Sequence, residues 1–232
     1  MNFKLKFLAV AVSGALFAGN AVAGPMIELD YQNATYGFNS GGLLNTAPNP
    51  DKSYNVYAGM FNFTTSNADG ASPIAWTGAL DAFCIDLDTF LDLGNTTYEL
   101  KTADSYFSNV NQVSAITKLY TGYSSSVTNT DTSAAFQLAL WEIIYEDGGS
   151  FGLTDGDFTA TTDFSGSRAI ADNWLSGLAG QSEGFNMYVL EAAGTQDLLV
   201  FTPKPPVSVP EPGTLALLGL GLAGLAARRK KV

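Results

Sequence analysis

Alternation of apolar and polar residues marks the strands that the middle of the chain is expected to form. Runs rich in β-branched and aromatic residues predict strands at Tyr54–Thr64, Ile74–Phe90 and Met187–Phe201. Segments of Asn, Asp, Gly and Ser separate them, as at Asn67–Gly70, and such residues favour turns. A strand-rich domain follows from this pattern.

Helical spacing of apolar residues appears in three further segments. It predicts helices at Val110–Tyr120, Ser133–Tyr145 and Ser167–Leu178. The chain shows no internal repeat. We therefore expect a β-rich α+β fold, an antiparallel sandwich or barrel-like body with about three helices.

The segment Ser133–Tyr145 has the clearest helix signals. Gln137 lies in the middle of its apolar face, between Ala134 on one side and Leu140 and Trp141 on the other. A buried amide without partners costs roughly 1–3 kcal/mol, so we expect a specific partner for Gln137. Candidate N-caps are Asp131, Thr132 and Ser133, and Gly148 with Gly149 is expected to end the helix.

The N-terminus has the pattern of a secretory signal peptide. Lys4 and Lys6 precede an apolar run at Phe7–Phe17, and the small residues Ala21 and Ala23 suit signal peptidase. We assign residues 1–23 to a signal helix that is removed on export. The extracytoplasmic domain is then expected at residues 24–202.

The C-terminus contains three segments in a fixed order. Residues 203–212 form a proline-rich, extended linker that ends in Pro210, Glu211 and Pro212. Gly213–Ala227 carries no charge and is expected to be a transmembrane helix, and the basic residues of 228–232 are expected to stay in the cytoplasm. A helix of that length rises only about 22 Å, short of a roughly 30 Å hydrocarbon core, which suits a temporary anchor.

This order of motif, span and basic cluster resembles the PEP-CTERM sorting signal. The resemblance implies recognition by an inner-membrane exosortase that cleaves near Pro210-Glu211-Pro212. It therefore implies an exported protein, held briefly in the inner membrane and then released to the cell surface or extracellular matrix. The signal gives a destination and leaves the activity open.

Charge and composition exclude several functions for the part between the targeting segments. The whole chain has 11 basic and 22 acidic residues, and six of the basic ones lie in the targeting segments, which leaves a net charge of −17 elsewhere. Nucleic acid is therefore not an expected partner. The chain has no histidine, which removes the commonest general base and zinc ligand. We expect a protein that is not an enzyme.

The one cysteine, Cys84, is unusual in an exported protein, because it has no partner for an intrachain disulfide. As part of a strand it shares a face with Asp86 and Asp88, opposite Phe83 and Ile85, which places it outside the densest core. A cysteine thiol and a glutamine amide in contact can condense, with loss of ammonia, to an internal thioester. Cys84 and Gln137 are candidates for that bond.

Two segments of the domain resemble the Cys-Gln thioester domains of bacterial surface adhesins. They are Phe83-Cys84-Ile85 and Phe136–Trp141, in which Gln137, Ala139 and Trp141 fit the family pattern and Phe136 replaces a usual threonine. The resemblance implies a Cys84–Gln137 crosslink with Trp141 beside it. It also implies covalent capture of an amine or hydroxyl on a neighbouring surface or exopolysaccharide.

Two alternatives remain open from the sequence. The first is a non-covalent structural or polysaccharide-associated matrix or biofilm protein, in which Cys84 is a small buried hydrophobe and Gln137 bonds to backbone. The second is a carboxylate-dependent hydrolase, although no acidic pair stands out. No cofactor and no metal site is expected; Asp86 with Asp88, and the stretch 146–157, offer oxygen atoms for calcium without an EF-hand pattern.

Overall fold

A computed structural model describes residues 24–47, 51–146 and 150–205. The predicted signal peptide with Ala21 and Ala23, the Pro210-Glu211-Pro212 motif, the apolar span, the basic tail and Gly148-Gly149 lie outside these residues. Within them, no helix is both long enough and apolar enough to cross a membrane.

Six antiparallel strands close into a barrel in the order β1-β4-β5-β9-β8-β6. The barrel strands are β1 (Met26–Ala34), β4 (Phe61–Ser66), β5 (Ala79–Cys84), β6 (Asn95–Thr102), β8 (Phe185–Glu191) and β9 (Leu198–Pro203). A separate sheet has the order β3-β2-β7, with β2 at Asn39–Asn45, β3 at Lys52–Ala58 and β7 at Phe158–Ala160.

Within the described residues, four α-helices accompany the sheets: α1 (Ala103–Tyr106), α2 (Val110–Tyr123), α3 (Thr130–Tyr145) and α4 (Ser167–Ser176). Single 3₁₀ turns lie at Ser124–Ser126, Phe164–Gly166 and Leu178–Gly180. The expected β-rich α+β fold is confirmed, and the barrel is the form it takes.

Two of the predicted strands are in fact strand pairs. The Tyr54–Thr64 segment divides at Gly59 into β3 and β4, which belong to different sheets. A Cβ on Gly59 would lie 2.8 Å from the carbonyl oxygen of Gly37, so this close approach requires glycine. Met187–Phe201 is the β8–β9 hairpin, which turns at Gly194 with φ +84°.

The predicted strand Ile74–Phe90 is too long, because only Ala79–Cys84 pairs as a strand. Beyond Cys84, side chains from the β8–β9 turn hold the backbone: Thr195 Oγ1 accepts a hydrogen bond from Asp92 N at 2.8 Å. Strands β1, β2, β6 and β7 were not predicted. β2 includes Gly41 and Gly42, which weaken a strand pattern in the sequence.

Helix α3 is buried on all sides and connects the two sheets. Every residue from Ser133 to Ile143 is buried, and the helix contacts α2, α4 and all three strands of the smaller sheet. Its N-cap is Asn129, which forms a capping box with Thr132, so the predicted caps lay slightly too late. Its last residue is Tyr145, and the chain leaves the helix at Glu146.

Glu142 places a carboxyl group inside this buried helix. Its Oε1 accepts a hydrogen bond from Gly152 N at 2.7 Å, and its Oε2 has no partner among the described residues. Burial raises its pKa to about 8, and the nearby carboxylates of Glu146, Asp172 and Asp155 add to the shift. The folded protein therefore keeps this carboxyl protonated at neutral pH.

We expect stability to fall as the pH rises through the range in which only the folded state holds this proton. The folded pKa is about 8 against an ordinary value of 4.5, so the folded chain binds more protons between these values. The loss from this group is at most about 1.4 kcal/mol per pH unit. Urea unfolding of wild type and Glu142→Gln at pH values across this range should show a flatter profile for the variant. Parallel profiles would contradict the assignment.

Candidate functional site

Cys84 lies at the very end of β5 and is only 2% exposed. The prediction that it lies outside the densest core is wrong. Strand alternation stops at Cys84, so Phe83, Cys84 and Ile85 are all buried, while Asp86 and Asp88 belong to the loop that follows. The cysteine therefore lies where the barrel meets α3.

The side-chain amide of Gln137 pairs with the backbone of Cys84. Gln137 Oε1 accepts a hydrogen bond from Cys84 N at 3.0 Å, and Gln137 Nε2 donates one to Cys84 O at 2.7 Å. Gln137 is itself fully buried. The structure thus brings together the two residues that the sequence selected 53 positions apart, and it supplies the partner expected for the buried amide.

This pairing continues the sheet where a strand is missing. On one side, β9 pairs with β5 as far as Cys84. On the other side, β4 begins at Phe61, which pairs with Ala82. The Gln137 amide therefore takes the place of a strand neighbour for Cys84, because an amide offers one donor and one acceptor like a peptide group.

Other residues of α3 hold the same end of β5. The ring of Phe136 stacks on that of Phe83 with centroids 4.4 Å apart. The hydroxyl of Tyr145 accepts a hydrogen bond from Leu87 N at 3.0 Å and donates one to Ile85 O at 3.1 Å. Gln137, Trp141 and Tyr145 recur every four residues, so they share one face of the helix.

Cys84 and Trp141 line a cleft of about 720 Å³. Its walls come from β1, β3, β4 and the loop after β5, and they are mostly apolar. Phe90 at its edge is 90% exposed and Tyr57 is 69% exposed, which is unusual for large apolar side chains. The cleft gives ligands a route toward the buried Cys84.

The electrostatics of the site keep the Cys84 thiol neutral. Burial raises the pKa of this thiol well above its usual range, and the negative charge of Asp86 adds to the effect. Asp86 also lines the cleft, and its Oδ2 accepts a hydrogen bond from Asp197 N at 2.9 Å. A thiol in this setting is a poor free nucleophile.

A charged pair lies near the mouth of the cleft. Lys52 Nζ lies 2.6 Å from Asp88 Oδ2, and the hydroxyl of Tyr54 donates to Asp88 Oδ1 at 3.0 Å. The hydrogen bond from Lys52 lowers the pKa of Asp88. The described residues contain no group of three or more His, Cys, Asp or Glu side chains that could hold a metal ion, so the calcium candidates do not assemble there.

The structure places the predicted residues Cys84, Gln137 and Trp141 near one another, and their role in a thioester stays a prediction. The sequence analysis missed the cleft residues, including Tyr54, Phe90 and Gln196. The available signal was a group of apolar residues, Phe90, Leu91 and Leu93, in a segment that follows the strand, since loops are ordinarily polar.

Comparison with protein families identifies one match. Residues 208–230 match the PEP-CTERM protein-sorting motif, which confirms the resemblance of the C-terminus and implies an exported, cell-surface-directed protein processed by exosortase. A search of curated proteins gives no match.

Among solved structures, the chain is similar to the N-terminal domain of the Streptococcus pyogenes pilus tip adhesin Cpa. The alignment has 12% sequence identity and a TM-score of 0.41, and it covers 75% of this chain and 99% of that domain.

The amide–backbone pairing should contribute substantially to stability. In a Cys84→Ala chain, where the thiol takes no part, a further Gln137→Met change should lower the free energy of unfolding by roughly 1–3 kcal/mol for each backbone group left unpaired. Gln112→Met in the same background is the control. Gln112 donates to Ile143 O and Ile144 O, but these bonds are only part-buried, so water can replace them. Equal losses in urea unfolding would contradict the role given to Gln137.

Proposed function

We propose that the protein is a cell-surface or matrix adhesin that binds covalently through an internal thioester between Cys84 and Gln137. The observation that carries the proposal is the double hydrogen bond between the Gln137 amide and the Cys84 backbone, in which both residues are buried and Cys84 lines the cleft. This contact places the Gln137 amide against the Cys84 backbone, and the proximity of the two residues would lower the barrier to a reaction between their side chains.

The bond-forming step follows from these groups. Cys84 Sγ attacks the amide carbon of Gln137, a C–S bond forms, the C–N bond breaks, and ammonia leaves with the thiol proton. Cys84 N already donates to Gln137 Oε1, where negative charge develops during the attack. The hydrogen bond from Nε2 is lost with the ammonia, whereas the one to Oε1 persists.

Capture of a partner is a second acyl transfer, in which the Gln137 acyl group passes from Cys84 to the partner. An amine or hydroxyl enters the cleft and attacks the thioester carbonyl, a C–N or C–O bond forms, the C–S bond breaks, and the Cys84 thiolate takes the proton. The high pKa of the buried thiol favours this return to the neutral thiol. Since each molecule reacts once, the protein is a reactive binding protein and not an enzyme with turnover.

The second candidate is a non-covalent matrix component with the same export route. It is favoured by the completeness of the present pairing, because the Gln137 amide already has both an acceptor and a donor and the thiol stays protonated. Phe136, which stands in place of the threonine usual in thioester domains, also favours the non-covalent alternative.

The intact mass of the exported and processed protein separates the two candidates. A thioester lowers the mass by one ammonia, and methylamine then adds its own mass. Cys84→Ala and Gln137→Ala should each abolish both effects. Gln112→Ala, which removes another glutamine bonded to backbone carbonyls, should retain them. An unmodified mass with a titratable thiol would establish the non-covalent alternative.

The sorting motif makes a separate prediction. Changing Pro210, Glu211 and Pro212 together to alanine should retain the chain in the inner-membrane fraction, because the processing enzyme loses its recognition motif. Changing Pro205 and Pro206 to alanine in the same proline-rich stretch is the control and should leave release unchanged. Cell fractionation with immunoblotting measures both, and normal release of the first variant would contradict the assignment.

A further inference from the structure

Two residues that line the cleft each carry a buried polar atom with no partner among the described residues. The atoms are Trp141 Nε1, a hydrogen-bond donor, and Gln196 Oε1, an acceptor. The Trp141 side chain is only 2% exposed, and Gln196 Nε2 is already used in a hydrogen bond to Asp86 O at 3.0 Å. An unpaired buried polar atom costs roughly 1–3 kcal/mol, so a ligand that pairs with both recovers free energy in binding.

The walls around these atoms are aromatic. Six aromatic residues besides Trp141 border the cleft: Tyr31, Phe38, Tyr54, Tyr57, Phe61 and Phe90. The face of an aromatic ring is electron-rich and attracts polarised C–H groups. The walls therefore suit a ligand that offers C–H faces, whereas the two unpaired atoms require a ligand that also offers a donor and an acceptor.

The charge of the residues that line the cleft limits the class of ligand that it can bind. Asp86 is the only formally charged residue among the described residues that line the cleft. An anionic polymer would meet this carboxylate with no cation in the cleft lining to balance it. A purely apolar chain would leave Trp141 Nε1 and Gln196 Oε1 unpaired. A neutral sugar meets both demands, because each hydroxyl both donates and accepts and the ring has apolar C–H faces.

We propose that the cleft binds a neutral sugar unit of a polysaccharide. Trp141 Nε1 donates to a sugar oxygen, a sugar hydroxyl donates to Gln196 Oε1, and exposed rings such as Tyr57 and Phe90 cover the C–H faces. The cleft volume of about 720 Å³ lies within the range of small-ligand sites.

Binding in this way would present sugar hydroxyls beside Cys84. Where it names the covalent acceptor, this inference rests on the proposed function. In that reaction a sugar hydroxyl attacks the Gln137 acyl carbon, a C–O bond forms, the C–S bond breaks, and the proton passes to the Cys84 thiolate. Recognition of the sugar requires no thioester. The two parts can therefore fail separately.

The test is saturation-transfer NMR and titration with maltose, cellobiose, lactose and N,N′-diacetylchitobiose. We expect at least one of them to bind the exported protein alike before and after methylamine treatment, and galacturonic acid not to bind. Trp141→Phe keeps an aromatic ring but removes the donor, and should weaken binding about tenfold, equivalent to about 1.4 kcal/mol. Gln196→Met should weaken it similarly, which covers the case in which Trp141→Phe fails to fold.

Trp76→Phe is the matched control. Trp76 Nε1 is also buried without a partner among the described residues, but Trp76 does not line this cleft. Its replacement should leave sugar binding unchanged. Absence of binding by all four disaccharides, or equal effects of the Trp76 and Trp141 variants, would overturn the inference. Sugar binding by a wild-type protein of unmodified mass would instead reject only the thioester.

Discussion

The end of strand β5 has no strand neighbour on one side, and α3 fills this gap with side chains. The Gln137 amide replaces the missing peptide group at Cys84, and the Tyr145 hydroxyl bonds to the backbone on both sides of Asp86. Because buried peptide groups must be paired, this requirement fixes how far α3 can move relative to the barrel. The position of Cys84, the shape of the cleft and the path of the loop after β5 all depend on it.

The same requirement explains the composition of α3. A helix buried on every side is expected to be apolar all round, yet α3 contains Ser133, Gln137 and Glu142 in fully buried positions. Each has a defined partner: Ser133 Oγ accepts from Met60 N, Gln137 pairs with Cys84, and Glu142 accepts from Gly152 N. The polar residues of α3 thus hold the turn between β3 and β4, the end of β5 and the loop after α3.

The structural pairing and the proposed chemistry involve the same two residues. The Gln137 amide pairs with the Cys84 backbone, and the Cys84 N–H that donates to its oxygen would stabilise the charge of the proposed acyl-transfer intermediate. The cleft is lined by Trp141 and Gln196, each with a buried polar atom that has no partner among the described residues, and by exposed aromatic rings. Export and sorting, given by the C-terminal motif, would bring this surface to the cell exterior.

The sequence by itself determined the export route, the β-rich α+β class and the selection of Cys84 and Gln137. Targeting signals are short contiguous segments, so they can be recognised in the sequence. A lone cysteine in an exported chain and an amide on an apolar helix face are unusual in their local sequence, so they can be recognised there too. The three predicted helices, which correspond to α2, α3 and α4, were also located within a few residues. Strands with glycines, such as β2, were not, since their pairing depends on distant partners.

Only the tertiary structure decided what surrounds Cys84. Alternation predicted a face shared with Asp86 and Asp88, but β5 ends at Cys84, because the β8–β9 turn and Tyr145 hold the next residues out of the sheet. The cleft likewise has walls from segments far apart in sequence, including Tyr54, Phe90 and Gln196, so no local pattern could reveal it. Burial and unpaired polar atoms are properties of the packed chain, and they arise only when those segments meet.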